Sequence, residues 1–462
     1  MSVRDGFTKS LFILILILSI AVSVYGQTKR IRSASEHLIF KCKVLINPAS
    51  GKNLENAVVE VNNGRILRVG KIGDLKIPEG VKVMDNSDKY IIPGLIDTHA
   101  HLFGGVTIRH TTCDMLPIFY LAAGVTTVRS PGSMDPEGDM AMRNRIDSGR
   151  FLGPRCFLSG PYIEMEPVTV AWMNPVQTPE ETRLKIDQWS KQGATSVKIY
   201  AAMHGEILRA AIEHGHGHGL KVIAHVGAVT YKEAIEMGID ELFHGIIAMP
   251  DTRPKGIDQR ARKQWSKLTS ELDLTQPEIQ EILRLAAESR VVLCPTAVIQ
   301  EHLDMEEHHM DEQKKYFTPE AWEKIEERVK KPVQPQNEKI MEKNIQFIKM
   351  AHDAGCILAI GTDLTSFSML PGYSLWREME IFAEAGIEPM EILKAATING
   401  AFAIGRTDQI GSVEPGKLAD FVILNANPLE NISNSRSVHR VVKEGIIYEP
   451  EKLLKPLIGK FH

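Results

Sequence analysis

From Ile91 onward the chain alternates short apolar runs with longer amphipathic stretches. The runs Ile91–His101, Thr126–Ser130, Arg155–Gly160, Ser196–Tyr200, Lys221–Val226, Glu241–Ile246, Val291–Thr296 and Ile357–Asp363 predict eight strands. They are continuous rather than alternating, as expected of parallel strands covered on both faces. The stretches between them carry helix signals. Thr178-Pro179-Glu180-Glu181 places a capping threonine, a proline at the first helical position and a glutamate three residues on, predicting a helix over Thr182–Gln192 that Gly193 ends. Thr230–Met237 and Met341–Asp353 stop in the same manner at Gly238 and Gly355. Eight such units predict an α/β fold, a (β/α)8 TIM barrel over residues 91–404. A doubly wound sheet is the competitor, but no Gly-x-Gly-x-x-Gly follows a first strand.

The flanks have another rhythm. Cys42–Asn47, Ala57–Asn62 and Arg65–Val69 alternate, with Asn62-Asn63-Gly64 as a hairpin turn. Phe421–Leu424 and Val438–Val442 repeat the style before a turn at Lys443-Glu444-Gly445. Residues 27–90 and 405–462 are therefore expected to join in one small β-sandwich domain. Three stretches inside the barrel region are long for connections: Pro161–Gln177, which carries Glu164, Glu166 and Trp172, and the charged, helical-looking segments 249–290 and 300–337.

The amino terminus stands apart. Arg4 and Lys9 precede an apolar run from Leu11 to Val24, and Val24-Tyr25-Gly26 supplies small residues ahead of Gln27. This is the pattern of a signal peptide over 1–26, and the run is short of the ~20 residues that span a bilayer. Export to a periplasmic or secreted location is expected, with no stable membrane anchor after cleavage. A net charge of −4 gives no reason to expect a nucleic-acid or acidic-membrane partner. Cys42, Cys113, Cys156, Cys294 and Cys356 lie far apart, which is no disulfide framework, and Cys294 and Cys356 read as small buried hydrophobes.

The chemistry sits at the strand ends, where a barrel builds its active site. Asp97-Thr98-His99-Ala100-His101 closes the first run, and two histidines two apart on a strand share a face. Such a pair can hold a metal ion, or one can pack in the core while the other is solvated; partners decide. Lys198 and Tyr200 end the fourth run, His225 the fifth, His244 the sixth and Asp363 the eighth. An unpaired polar group ending an apolar strand is costly, so a shared ion is the economical reading of their convergence.

Pro93-Gly94-Leu95-Ile96-Asp97-Thr98-His99-Ala100-His101, Lys198, His225, His244 and Gly361-Thr362-Asp363 resemble the amidohydrolase superfamily. Ile410-Gly411-Ser412-Val413-Glu414-Pro415-Gly416-Lys417-Leu418-Ala419-Asp420 is similar to that superfamily's closing β-sandwich segment. The resemblance covers nearly the whole chain after residue 26. It is nearest to Xaa-Pro dipeptidase (prolidase)-like and imidazolonepropionase-like members, and the strand-four lysine points to the binuclear branch. It implies two divalent ions, zinc foremost, with His99, His101 and Asp363 on one, His225 and His244 on the other, and a carboxylated Lys198 and a hydroxide bridging both. The implied activity is hydrolysis of an amide by the bridging hydroxide, with dipeptides ending in proline or a hydrophobic residue as the expected substrate. Asp363 would move the proton, and His244 and Tyr200 join it as catalytic candidates. Tyr200 is placed either to hydrogen-bond an oxyanion or merely to pack at the mouth.

Arg109 and Arg129 are candidates for gripping a substrate carboxylate, or for structural ion pairs. Many relatives have aspartate after the second arginine, where this chain has Ser130-Pro131-Gly132. Glu213-His214-Gly215-His216-Gly217-His218-Gly219 joins a helix to the fifth strand, on the face away from the mouth, and reads as a flexible helix stop. Glu306-Glu307-His308-His309 reads as solvated, whereas His204 follows Tyr200 on the catalytic side. Alternative activities are lactone, phosphotriester or aryl-amide hydrolysis at the same site, or a mononuclear cyclic amidohydrolase or deaminase, which the lysine disfavours. A non-catalytic scaffold, in another class altogether, would have lost ligands. A homo-oligomer is compatible with the sequence, which does not specify one.

Overall fold

The computed structural model describes residues 36–102, 115–166, 168, 173–251, 262–304, 311–330, 332–364 and 369–461. The expected signal peptide, Arg109, Cys113, Trp172 and Glu306–His309 lie outside the described residues. Strands run in the order β1 (Leu38–Asn47), β2 (Lys52–Asn62), β3 (Arg65–Lys71), β4 (Lys82–Pro93), β5 (Leu95–Asp97), β6 (Val125–Ser130) and β7 (Arg155–Leu158). They continue with β8 (Tyr162–Met165), β9 (Asn174–Val176), β10 (Ser196–Ile199), β11 (Lys221–Ala224), β12 (Glu241–Phe243), β13 (Val292–Cys294) and β14 (Ile357–Leu358). The last are β15 (Phe421–Leu424), β16 (Val438–Lys443) and β17 (Ile446–Tyr448).

Both ends of the chain build one sheet, ordered β17-β16-β15-β4-β1-β2-β3. Its alternation serves two cores. Phe421 and Ile423 of β15 join Phe40, Ile91 and Val442 in a core of the sheet's own. Val422 and Leu424 turn the other way, onto the main core with Ile92 and Leu95. The predicted turns form with left-handed backbone at Asn63 (φ 51°) and Gly64 (φ 75°), and at Glu444 (φ 51°) and Gly445 (φ 76°). The two turns meet, and a Cβ on Gly64 would stand 2.9 Å from the Glu444 carbonyl oxygen.

The inner strands are parallel throughout, in the orders β5-β6-β7 and β14-β13-β12-β11-β10-β8-β9. Backbone bonds link the two groups, from Thr98 N to Ile360 O (3.0 Å) and from Thr195 N to Leu158 O (2.7 Å). Two expectations change. The run Ile91–His101 is not one strand: β4 stays in the outer sheet through Pro93, and the chain crosses to the inner strands at Gly94 rather than at Ile91. Glycine is needed there, because a Cβ would lie 2.2 Å from Thr126 Oγ1. The stretch Pro161–Gln177 is not simply a loop either. Its β8 continues the line of β7 past a bend at Gly160 (φ 76°) and pairs with β10.

The long segments 249–290 and 300–337 carry helices, as in Arg262–Ser270, Pro277–Glu288 and Pro319–Val329, joined by turns. Thr178 caps the Pro179–Lys191 helix at Glu181 N, but Glu181 reaches back to Gln177 N rather than to Thr178. Thr230 and Glu233 form the fully reciprocal box instead. Cys42, Cys156, Cys294 and Cys356 are buried free thiols. Among the described residues no helix is long and apolar enough to cross a membrane.

Candidate active site

The register of the parallel strands decides which side chains meet. Ile199 pairs with Ala224, and Phe243 with Cys294, so His225 and His244 each emerge one residue beyond a matched pair. Their amides are tied down: His225 N donates to Ile199 O (3.1 Å) and His244 N to Cys294 O (3.0 Å). Asp363 N donates to His99 O (2.7 Å), which fixes the eighth strand's end against the first.

The side chains then converge. His101 Nε2 lies 2.8 Å from Asp363 Oδ1, His99 Nε2 lies 3.3 Å from the same oxygen, and His244 Nδ1 lies 3.7 Å from Oδ2. The His225 and His244 rings are 4.5 Å apart, and Tyr200 sits edge-on to His225 at 4.9 Å. Lys198 is 1% exposed, with Nζ 3.8 Å from the centre of the Phe243 ring. Neither Lys198 Nζ nor His99 Nδ1 has a hydrogen-bond partner among the described residues. Of the residues named from sequence, His99, His101, Lys198, His225, His244, Asp363 and Tyr200 all gather in this one cluster. His204 is exposed at the start of the next helix.

Burial sets the charges. It pushes the His99 and His225 imidazoles down to about 3 and His244 well below its ordinary value, so their lone pairs are free for a cation. Burial alone would raise Asp363, but the neighbouring imidazoles of His99 and His101 hold its carboxyl well below the usual carboxylate range. Burial brings the Lys198 amine down to about 7. Neutral imidazoles, an ionised carboxylate and an unpartnered buried amine fit divalent metal ions of the zinc class. His99, His244 and Asp363 already present ligand atoms within 4.8 Å of one another.

A supporting layer is less visible in the sequence. The buried Asp97 carboxylate accepts from His99 N (3.0 Å), Thr362 N (3.2 Å) and Thr362 Oγ1 (2.8 Å), locking the first and eighth strand ends together. Thr296 Oγ1 stands 2.8 Å from His244 Nδ1 and fixes that ring. Behind Thr296, the buried Glu378 carboxylate accepts from Ala297 N (3.0 Å) and Val298 N (2.6 Å) at the start of the next helix. Thr296, His244 and Asp363 all have left-handed backbone, at φ 50°, 71° and 48°. Each such residue costs about 1–3 kcal/mol, and strain of this kind gathers at functional sites. Thr296 carries a sequence signal, since it ends the seventh predicted strand as the other site residues end theirs. Glu378 carries none, because nothing local ties it to a strand end.

Arg129 is not at the mouth. It is buried beneath the site, donating to Thr98 O (2.9 Å), Ala403 O (3.2 Å) and Glu241 Oε1 (2.5 Å), a structural ion pair rather than a carboxylate grip. Glu164 is likewise spoken for, accepting from Met165 N and Ala202 N.

The family model described as the amidohydrolase family matches residues 90–447. The chain belongs to the amidohydrolase family. Among curated proteins, this amidohydrolase is 25% identical over 427 residues to an imidazolonepropionase of Clostridium tetani, covering 86% of this chain and 91% of that one. An imidazolonepropionase of Porphyromonas gingivalis is 47% identical over 77 residues, and the match spans only 17% of its length. Among solved structures, a Xaa-Pro dipeptidase with bound methionine in the active site matches with TM-score 0.67 and 23% identity over 90% of this chain and all of the other (100%). Bottromycin amidohydrolase matches with TM-score 0.71 and 19% identity, covering 92% and 89%. These likenesses give the amidohydrolase the α/β TIM-barrel fold.

Proposed function

We propose that this amidohydrolase is an exported, binuclear metal-dependent enzyme that cleaves amide bonds in small molecules, foremost dipeptides ending in proline or a hydrophobic residue. Its inner strands act as one barrel joined through Thr98 N and Ile360 O, with the two-ended sheet as its β-sandwich.

Lys198 carries the reading. A fully buried lysine without a partner is costly in its charged form, because burial strips the ammonium of water and nothing among the described residues hydrogen-bonds it. An amine that titrates near 7 is largely neutral at slightly alkaline pH, and its lone pair can add to the carbon of carbon dioxide with one N–H proton released to water, giving a carbamate. That anion offsets the repulsion of two cations held a few ångströms apart. His99, His101 and Asp363 would hold one ion, His225 and His244 the other, and Lys198 both. When bound, such ions supply a water acidified to near-neutral pKa and polarise the scissile carbonyl. Asp363, kept ionised by its histidines, takes the attacking water's proton on its carboxylate and hands it to the leaving nitrogen. His244, oriented by Thr296, and the Tyr200 phenol face the carbonyl oxygen as charge develops. Phe243 closes the floor beneath Lys198 against water.

The length of the Clostridium tetani match favours one second reading, a cyclic amidohydrolase acting on an imidazolone-type ring. The test is a panel of dipeptides, lactones, aryl amides and imidazolonepropionate offered to the zinc-supplied enzyme. Release of free proline or a hydrophobic amino acid supports the dipeptidase reading. Turnover of imidazolonepropionate with no dipeptide cleaved would replace it by the second.

A further inference from the structure

The histidine tract at 213–219 takes no part in this chemistry, yet the structure organises it. The sequence suggests a flexible stop, whereas the Gly205–Gly217 helix runs through most of the tract and His218 caps it. His214 and His218 are therefore one turn apart on the same helix face. Opposite them stands Asp187 of the Pro179–Lys191 helix. Both Nε2 atoms lie 2.7 Å from Asp187 Oδ1, and the rings meet edge to face at 4.9 Å. Ser190 Oγ lies 3.4 Å from His218 Nδ1. His216 turns aside to Asp240 (2.8 Å), which also binds Lys221.

We propose that Asp187, His214 and His218 form a separate binding site for a divalent transition ion of the zinc, nickel or copper class, at the end of the fold opposite the catalytic pocket. The three residues present ligand atoms within 4.8 Å of one another, on two helices whose backbones hold them there. Two imidazoles and one carboxylate select such ions over magnesium or calcium, which require mainly oxygen donors. The side chains are about a third exposed, at 35%, 28% and 34% for Asp187, His214 and His218, so an ion can enter and keep water on its open positions. On entry each imidazole gives its Nε2 lone pair and carries its proton on Nδ1, where Ser190 Oγ can accept from His218. The hydrogen bonds from the two histidines already favour the ionised form of Asp187. The ion would clamp together the helices that flank β10, the strand carrying Lys198.

The test is calorimetric titration of Ni2+ into the full-length, metal-replete protein, its H214A/H218A variant and an H216A control. Wild type and H216A are expected to take up one more equivalent of Ni2+ than H214A/H218A. Their melting temperatures should rise with added Ni2+ where that of H214A/H218A does not. D187N, which keeps the packing, should weaken the same binding step at least tenfold. The comparison is a difference between variants, so it is independent of how many ions the catalytic pocket holds. Equal uptake by all the variants, each folded by its melting curve, would overturn the proposal.

Discussion

Arg129→Met separates a structural role for this arginine from a substrate-binding one. Arg129 and Glu241 are each 1% exposed and joined at 2.5 Å, and the guanidinium also satisfies the carbonyls of Thr98 and Ala403. Removing one partner of a buried pair costs about 3–5 kcal/mol, because the other charge is stranded. Each orphaned carbonyl adds about 1 kcal/mol. The sum, roughly 5–7 kcal/mol, is a large part of a typical stability of about 5–15 kcal/mol. Glu241→Leu added to Arg129→Met removes the stranded charge and should recover about 2–4 kcal/mol. The deficit also has a pH signature. Burial already raises Glu241 above its ordinary 4.5, and without Arg129 the native state keeps that proton further up the scale. The unfolded chain releases the proton near the ordinary value, so the stability of Arg129→Met falls as pH rises from there. Urea unfolding of wild type, Arg129→Met and the double variant at pH 5.5 and 8 measures all three effects. A deficit under about 1 kcal/mol, or a double variant no more stable than the single one, refutes the reasoning. A rise in KM for dipeptides with unchanged stability would restore Arg129 as a carboxylate grip.

Thr296→Val removes the hydroxyl that holds His244 and should lower kcat/KM by about 10–100-fold with little change in melting, read from steady-state kinetics and thermal scans. Asp363→Asn should lower kcat by at least about a hundredfold, the contribution of a general acid–base, in protein shown by melting to be folded. Burial raises Glu378 to about 8, so the native state holds a proton that the unfolded state loses near the ordinary 4.5. Stability should decline between those pH values, and Glu378→Gln should flatten the slope in urea titrations across that range.

The strand ends are legible in the sequence because a charge or imidazole closing a continuous apolar run is costly unless it meets a partner there. His225 and His244 follow Ile223-Ala224 and Leu242-Phe243, and the parallel register then brings them together. The run through Ile91 misleads by the same logic. Unbroken apolarity marks burial on both faces but not which sheet a residue joins, and the change of sheet at Gly94 shows only in what its missing Cβ would strike. Glu241 and Arg129 lie 112 residues apart, on β12 and β6, which are not neighbours in any sheet, and pair only because the fold turns their side chains toward one another. Pro161 and the acidic Glu164 mask β8, whose carboxylate is satisfied by the Ala202 amide and by the adjacent Met165 amide. The glycines of the histidine tract suggest a break in the chain, but the helix accommodates them.

Metal content measures directly whether the site holds two ions that depend on Lys198. In the H214A/H218A background, which removes the separate surface site, elemental analysis of the purified protein should find two divalent ions per chain. Adding Lys198→Ala should lower that number to one or none in folded protein. One ion per chain before the change, and the same one after it, would contradict the account.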